Sequence, residues 1–388
     1  MKILHTVESY HPSVGGMQEV VKQLSERLVA LGHQVTVVTR KNPERKFTEF
    51  NGVKIKDFEI GGNTVNGIEG DEEGYRNYLL NSDFDIVTFF AAQQWATDVA
   101  LPILDQIKGK KVSVPTGYSG LYNPQYKTYF ENMKVWIRGY DMNVYLSDDY
   151  RDINFARENK IAKTIIIPNG AAADEFLPDN GISIRKKLNI PETNFLILLV
   201  GGYSGAKGHK EAAKIFLRSK LKNATLLMIG NKYEYFRRQY IKEPLFGLLR
   251  FLKLGSSKQI IFGHYTRPET VSAYKEADLF LFPSNIECSP IVLFEAMASK
   301  TPFLTTDVGN SPEIIQWSGG GMLLPTSKDN RGYSHAKISG SVKIVNELFA
   351  NKQKRDELAK KGFEAWQQKF SWEIIAKKYE ELYKSLIK

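Results

Sequence analysis

Short apolar runs alternate with longer amphipathic stretches along the whole chain of 388 residues. Near its start, the apolar run Ile3–Val7 predicts a buried strand, and a loop with Gly15 and Gly16 follows it. Apolar residues then recur at helical spacing until the next apolar run, Gln34–Thr39. This order predicts a strand, a glycine loop, a helix and a second strand parallel to the first.

The same alternation continues in two successive series and predicts an α/β fold. In the first series, further strands are predicted at Val53–Ile60, Ile86–Phe90, Lys111–Pro115, Met142–Leu146 and Thr164–Pro168. In the second, they are predicted at Phe195–Val200, Thr225–Ile229, Gln259–Phe262, Leu279–Phe282, Pro302–Thr305 and Met322–Leu324. The pattern predicts two Rossmann-like, doubly wound domains that face each other across a cleft, with the site at the carboxyl ends of the strands.

Turn-forming residues divide the chain into parts. Pro168-Asn169-Gly170 is a strong turn signal that closes a first domain, 1–170. The stretch 171–190 has the composition of a linker, and a second domain is predicted over 191–370. The tail, 371–388, has the apolar spacing of an amphipathic helix.

Composition narrows the class of protein. With 42% hydrophobic residues and 12% aromatic residues, the chain is globular rather than disordered. The single cysteine, Cys288, excludes a disulfide framework within the chain and suits a reducing compartment. The pattern shows neither an apolar leader nor a membrane-spanning stretch, so a cytoplasmic protein is expected. The net charge of +10 indicates an anionic partner or serves solubility alone.

A helix start near residue 290 is the strongest candidate for binding chemistry. The apolar run before it ends at Pro283, and Ser289 and Pro290 suit the N-cap and the first helical position. Three backbone N–H groups would then be unpaired at the positive end of the helix dipole, which favours a bound phosphate. They belong to Ile291, Val292 and Leu293.

Two carboxylates flank this helix start. Glu287 lies on the loop before the helix, and Glu295 lies in its second turn. A phosphate site with two carboxylates beside it suits a nucleotide sugar. Its phosphates would bind the helix start, and its hydroxyls would donate to the carboxylates. The stretch 283–298 resembles glycosyltransferase family 4, retaining enzymes of the GT-B fold with a Glu-x7-Glu motif. The spacing alone is uninformative, because Glu373 and Glu381 repeat it on a polar helix face.

The resemblance implies roles for particular residues. Glu287 would orient the donor sugar, Glu295 would accept from ribose hydroxyls, and Lys207 in a second glycine loop would contact the diphosphate, as would the Gly15–Gly16 loop. The same resemblance implies a nucleoside-diphosphate-sugar donor, a glycan or lipid-linked acceptor, no metal and no other cofactor, and no nucleic-acid partner. It also implies that the C-terminal helix crosses back to the first domain.

The chain departs from the family pattern in three places. Gly202 stands where the family usually has an arginine that contacts the diphosphate. The family often has a histidine on the acceptor side, but the corresponding loop here, Thr116–Gly120, contains none. Tyr118 and Ser119 are the candidates there instead. Ala171-Ala172 replaces the Val-Asp that commonly follows Pro-Asn-Gly.

Two other functions stay open at this stage. The missing arginine and histidine suit a catalytically weak, glycosyltransferase-like binding subunit. Alternatively, Asp83 and Asp85 spell the D-x-D motif of metal-dependent GT-A enzymes, but they precede the strand Ile86–Phe90 and so lie at the wrong end for a site.

Two segments mix basic and aromatic residues. The segment 236–254 suits either peripheral contact with an anionic membrane, on the inner face, or a helix that covers the second sheet. The segment 126–138 has the same ambiguity nearer the acceptor side.

Overall fold

A computed structural model describes residues 1–231 and 257–388, which form two compact units. The first comprises Met1–Asn169 and Trp372–Lys388, and the second comprises Gly170–Ser371. The segment 236–254, predicted to face either a membrane or the second sheet, lies outside the described residues.

The first unit is built on an eight-stranded sheet in the order β10-β9-β8-β7-β1-β2-β4-β3, in which β3 alone runs antiparallel to its neighbour. A two-stranded antiparallel ribbon, β5 and β6, lies beside it. The strands are β1 (Lys2–Thr6), β2 (Gln34–Arg40), β3 (Glu49–Phe50), β4 (Val53–Phe58), β5 (Ile60–Asn63), β6 (Gly67–Gly70), β7 (Ile86–Phe90), β8 (Lys110–Val114), β9 (Met142–Tyr145) and β10 (Thr164–Ile166). The helices are α1 (Gly16–Ala30), α2 (Glu72–Asn81), α3 (Trp95–Asp98), α4 (Lys127–Trp136) and α5 (Arg151–Glu158).

The C-terminal helix, Trp372–Ile387, belongs to this first unit. Its amphipathic pattern is confirmed, because Ile375, Tyr379 and Tyr383 are buried while its polar face stays outside. The Tyr383 hydroxyl lies 2.7 Å from the Thr88 hydroxyl on β7, so the helix is fixed to the sheet by a buried hydrogen bond as well as by apolar area.

The second unit contains a six-stranded, fully parallel sheet in the order β13-β12-β11-β14-β15-β16. Its strands are β11 (Phe195–Val200), β12 (Ala224–Ile229), β13 (Lys258–Gly263), β14 (Leu279–Phe282), β15 (Phe303–Thr305) and β16 (Gly321–Leu323), and a small antiparallel pair is formed by β17 (Thr326–Lys328) and β18 (Ser334–Ala336). Its helices are α6 (Ala173–Phe176), α7 (Ile184–Leu188), α8 (His209–Arg218), α9 (Arg267–Glu276), α10 (Ile291–Ala298), α11 (Ser311–Ser318), α12 (Ile338–Ala350) and α13 (Lys352–Ala365).

The strand order of each sheet reverses at one point. In the second unit the chain moves outward from β11 in one direction through β12 and β13, and in the other through β14, β15 and β16. In the first unit β1 and β7 are the corresponding neighbours. Ligands of open α/β sheets bind beyond the carboxyl ends of the strands at such a reversal. The loops after β11 and β14, and after β1 and β7, are therefore the places where binding is expected.

The structure adjusts two expectations about the elements. The predicted strand Val53–Ile60 is wrong as a single element, because β4 ends at Phe58 and Ile60 begins the separate ribbon. The stretch 171–190, predicted as a linker, carries α6 and α7. Its Phe176 and Ile184 side chains belong to the apolar core of the second unit.

Candidate active site

Two loops of the second unit are held against each other at the reversal point between β11 and β14. Gly208 has a φ of +71°, and a Cβ there would lie 1.9 Å from the carbonyl oxygen of Pro283, so only glycine fits. The Asn285 N–H donates to the carbonyl oxygen of Ala206 over 2.8 Å. This contact fixes the Lys207 loop beside the loop that carries Glu287.

Lys207 and Glu287 meet directly in this place. The Lys207 ammonium lies 2.6 Å from Oε1 of Glu287, which also accepts a hydrogen bond of 2.8 Å from the Ser284 hydroxyl. The Glu287 side chain keeps 11% of its surface exposed and that of Lys207 keeps 31%. The arrangement thus presents one cation and one oriented carboxylate to a ligand that reaches the end of β14.

The helix start differs from the prediction by one residue. α10 begins at Ile291, and Pro290 is the N-cap, with extended backbone and no side chain that can accept a hydrogen bond. The prediction of Ser289 as N-cap and Pro290 as first helical residue is therefore wrong. The prediction that the Leu293 N–H is unpaired is wrong too, because it donates to the carbonyl oxygen of Pro290 over 3.2 Å.

The half-exposed first turn of α10 keeps the physical character that the sequence predicted. Ile291 and Val292 are its first two residues, and their N–H groups find no acceptor within the helix itself. The positive end of the helix dipole lies there as well. Donors for an anion thus remain at Ile291 and Val292, one N–H group fewer than expected.

Glu295 is nearly fully buried one turn further along α10, where it pairs with a residue that the sequence analysis missed. Nη1 of Arg267, on α9, lies 2.6 Å from Oε1 of Glu295. The same guanidinium donates to Oε2 of Glu175 over 2.6 and 3.0 Å and lies over the Phe176 ring, 5.4 Å from its centroid. One cation therefore holds two carboxylates in place. No local motif links Arg267 to Glu295, so only the fold reveals the pair.

A third loop supports the peptide bond between Cys288 and Ser289. Gly309 has a φ of +54°, and a Cβ there would lie 2.3 Å from the carbonyl oxygen of Cys288, which accepts the Asn310 N–H over 2.8 Å. The following helix, α11, places Glu313 in its first turn. The Cys288 side chain on this loop is partly exposed.

Gly202 is the position where the resembling family has an arginine. A Cβ there would lie 2.8 Å from Oδ1 of Asn231, so the amide of Asn231 occupies the direction that a side chain would take. The nearby His209 does not supply a positive charge, because burial lowers the pKa of its imidazole to about 4 and keeps it neutral at pH 7. The Lys207 charge contributes to this lower pKa as well.

The glycines predicted to approach donor phosphates lie in the first unit. Gly15 precedes α1 with extended backbone, and Gly16 is the first residue of that helix. A Cβ on Gly16 would meet nothing within 4 Å, and one on Gly15 would meet only the flexible end of Gln18. The backbone conformation at Gly15 and Gly16 would therefore also accept a residue with a side chain. Close approach of a ligand is a reason for glycine at these two positions that does not depend on the backbone.

The two residues predicted on the acceptor side lie differently. The Tyr118 ring is buried in the core of the first unit, with the Phe130 and Phe155 rings edge-on at 5.2 and 5.4 Å. Its aromatic area is worth more in the core than in water. Ser119 is exposed, and its hydroxyl donates to Oε1 of Gln93 over 3.3 Å.

The D-x-D sequence has a structural role. Asp83 lies 2.6 Å from the Lys2 ammonium, and Asp85 accepts the Lys2 backbone N–H over 2.7 Å. Both aspartates precede β7 and thus lie at the amino ends of the strands. Within residues 1–231 and 257–388, no group of three or more His, Cys, Asp and Glu residues is arranged to hold a metal ion.

Comparison with known proteins agrees with this architecture. Residues 14–175 match the family described as Glycosyltransferase Family 4, and residues 182–364 match the one described as Glycosyl transferases group 1. The chain is therefore a glycosyltransferase of the family 4 class, with the GT-B fold. The GT-A alternative is wrong on the same ground.

Three similar proteins illustrate the relationship. An uncharacterised glycosyltransferase of Methanocaldococcus jannaschii is 24% identical, over 99% of this chain and 98% of its own length. A lipopolysaccharide 1,2-N-acetylglucosaminetransferase of Salmonella typhimurium is 28% identical, over 58% of this chain and 57% of its own. The solved structure of HepE from Anabaena with UDP-glucose superposes with a TM-score of 0.72 at 15% identity, covering 99% of this chain and 100% of that one. Among the helices of the described residues, none has the length and apolar character needed to cross a bilayer.

Proposed function

We propose that this glycosyltransferase moves a sugar from a nucleoside diphosphate to a glycan or lipid-linked acceptor, with retention of anomeric configuration and without a metal ion. The observation that carries the proposal is the Lys207–Glu287 pair at the reversal point of the second sheet, beside the first turn of α10. A cation, a helix start and a fixed carboxylate are the groups that a sugar diphosphate requires.

The donor would bind with its diphosphate on Lys207 and on the N–H groups of Ile291 and Val292. Glu287 would accept from hydroxyls of the sugar, and Glu295 from the ribose along the 4% of its side-chain surface that is exposed. The similarity to a HepE structure that contains UDP-glucose supports this class of donor.

In the proposed reaction the bond between the anomeric carbon and the diphosphate oxygen breaks, and a bond to the acceptor oxygen forms on the same face. The acceptor proton passes to the leaving phosphate oxygen. Lys207 and the helix start stabilise the negative charge on the leaving diphosphate, so that neither a metal nor a protein base is required. Exclusion of bulk water would strengthen these contacts.

Synthesis of a cell-surface polysaccharide or glycoconjugate in the cytoplasm is the biological setting that we propose. The name of the Salmonella relative, a lipopolysaccharide sugar transferase, supports such an acceptor. Gly202 in place of an arginine favours the second candidate, a catalytically weak binding subunit, because one cation on the diphosphate would be missing.

A donor screen separates the two candidates. Purified full-length protein is incubated with a panel of nucleoside-diphosphate sugars, with and without EDTA, and hydrolysis is followed by mass spectrometry. Release of the nucleoside diphosphate that persists in EDTA supports a metal-independent transferase. Donor binding without turnover, even with cell-extract acceptors, would favour the binding subunit.

A further inference from the structure

A groove of about 570 Å³ separates α4 from α5 in the first unit. Both helices follow strands of the parallel sheet, β8 and β9, so their first residues lie at the carboxyl edge where ligands bind. Nη1 of Arg151, the first residue of α5, donates to the carbonyl oxygen of Ser119 over 3.2 Å. The mouth of the groove is therefore attached to the loop that the sequence predicts on the acceptor side.

One aromatic ring stands exposed at this mouth. Tyr122 keeps 75% of its surface in contact with solvent, and the Arg151 guanidinium lies over it, 5.3 Å from the ring centroid. Exposure of the apolar part of a tyrosine ring to water is unfavourable, and stacking under an arginine restricts the orientation of the ring. The ring thus lines the groove with the Arg151 guanidinium over it and most of its surface in solvent.

The rest of the lining is polar and carries both signs of charge. Lys127 and Glu158 are exposed and contribute an ammonium and a carboxylate, and Asn123 and Asn154 contribute amides. Such a set offers donors and acceptors to the same ligand. A polyhydroxylated ligand needs both, because each hydroxyl donates and accepts, and the C–H faces of its rings suit an aromatic surface.

The shape and charge of the groove favour a sugar over a lipid surface. A membrane is broad and flat, and it attracts cations and exposed apolar side chains. Here the surface is concave, Glu131 and Glu158 offset the lysines, and Lys134 already pairs with Glu131 over 2.7 Å. The volume lies within the range of roughly 300–1,000 Å³ that is usual for small-ligand sites.

We propose that the groove between α4 and α5 binds a short segment of an acceptor glycan, with Tyr122 stacked on a sugar ring and Lys127 and Glu158 bonded to its hydroxyls. That the glycan is an acceptor rests on the proposed function, whereas the binding of carbohydrate does not. The groove would then select the acceptor, independently of the residues that bind the donor.

The test is an array of defined oligosaccharides probed with full-length protein, followed by titration of the retained oligosaccharides by NMR. Wild-type protein is expected to retain a subset of the array, and Tyr122→Ala and Glu158→Gln are each expected to weaken that binding about fivefold or more. Val135→Ala is the matched control, because Val135 is 71% exposed on α4 and does not line the groove. It should bind as wild type does.

Three results would overturn the proposal. They are a wild-type protein that retains no oligosaccharide, a Tyr122→Ala variant that binds as tightly as wild type, and anionic phosphatidylglycerol vesicles that bind through Tyr122 and Lys127 in place of sugar. Donor hydrolysis in water needs no acceptor and is measured separately. Its absence in wild-type protein, together with no turnover in the presence of cell-extract acceptors, would contradict the proposed function, while the array alone decides the groove.

Discussion

The Lys207 ammonium lies 2.6 Å from the Glu287 carboxylate, although the two residues are eighty positions apart in the chain. Both side chains are aimed by loops that meet through Gly208 and the Asn285 N–H, so their contact follows from the packing of two strand ends. A bound diphosphate would compete with Glu287 for the same ammonium. Donor binding is therefore expected to replace this ion pair by a contact between Lys207 and phosphate.

Lys207→Ala is expected to weaken donor binding and turnover together. Loss of a charge-assisted contact typically costs about 1.5–3 kcal/mol, or roughly a 10- to 150-fold rise in the donor dissociation constant. Isothermal titration calorimetry with the donor measures the dissociation constant, and initial rates measure turnover. Lys328→Ala is the control, since Lys328 pairs with Asp307 on the exposed surface of the same unit. Equal donor affinity in Lys207→Ala and wild type would show that Lys207 is not a phosphate ligand.

Glu295→Gln is expected to raise the donor dissociation constant while the protein stays folded. The ribose loses a charged acceptor, and Arg267 retains Glu175 as a partner, so no guanidinium is left unpaired. Calorimetry measures the affinity, and circular dichroism checks the fold. Glu381→Gln tests the exposed repeat of the same spacing, and an equal effect of both changes would contradict the role of Glu295.

Two glycine substitutions separate ligand approach from backbone strain. Gly16→Ala should leave the free energy of unfolding equal or raise it by a few tenths of a kcal/mol, because alanine favours a helix start over glycine and meets open space. It should nevertheless weaken donor binding if phosphate approaches there. Gly208→Ala should lower the free energy of unfolding by at least about 1–2 kcal/mol, through its positive φ and the contact with Pro283.

Urea denaturation gives the unfolding free energies of these two variants, and calorimetry gives their donor affinities. A Gly16→Ala variant that is destabilised and binds the donor normally would reverse the assignment. It would mean that Gly16 serves the helix start and not the ligand.

The sequence predicted the alternation of strands and helices because buried parallel strands are short, continuous apolar runs that stand out between amphipathic helices. The ends of elements depend on smaller energy differences, as the start of α10 shows. Ser-Pro suits an N-cap followed by a first helical residue, yet Pro290 keeps extended backbone and its carbonyl oxygen accepts the Leu293 N–H. Local preferences do not decide between two such neighbouring starts.

The sequence predicts the site residues that are close together in the chain. It does not predict those that packing brings together from distant elements. Glu287 and Glu295 flank one helix start, so their neighbourhood was visible in the sequence. The Arg267 guanidinium reaches Glu295 from another helix, and the Tyr118 ring turns into the core between two phenylalanines. Neither fact has a local signal, because both arise from contacts between elements that are distant in the chain.

Asp152 is expected to make the stability of the protein depend on pH. Burial raises the pKa of its carboxyl from 3.8 to about 6, although the backbone N–H groups of Ile153 and Gly117 oppose the shift. The folded state therefore binds more protons than the unfolded state between about pH 4 and pH 6, so this residue makes stability fall as pH rises through that window. Across that window the free energy of unfolding falls by about 3 kcal/mol in total.

Asp152→Asn should remove this dependence of stability on pH. The free energy of unfolding of the variant, minus that of wild type, should therefore be larger at pH 7.5 than at pH 4.5. Urea denaturation at the two pH values measures the difference. Asp105→Asn, on the exposed surface of the same unit, is the control. A wild type and an Asp152→Asn variant with the same pH dependence would show that the carboxyl is ionised at little cost.

The most direct test of the proposed reaction is the anomeric configuration of the product, read by proton NMR in the presence of EDTA. The donor is an α-linked nucleoside-diphosphate sugar that supports turnover, and the product is examined before it can mutarotate or be hydrolysed. Retaining, metal-independent transfer predicts an α-linked product that forms at the same rate with EDTA as without it. A β-linked product, or a reaction that EDTA abolishes and added Mg²⁺ or Mn²⁺ restores, would contradict it.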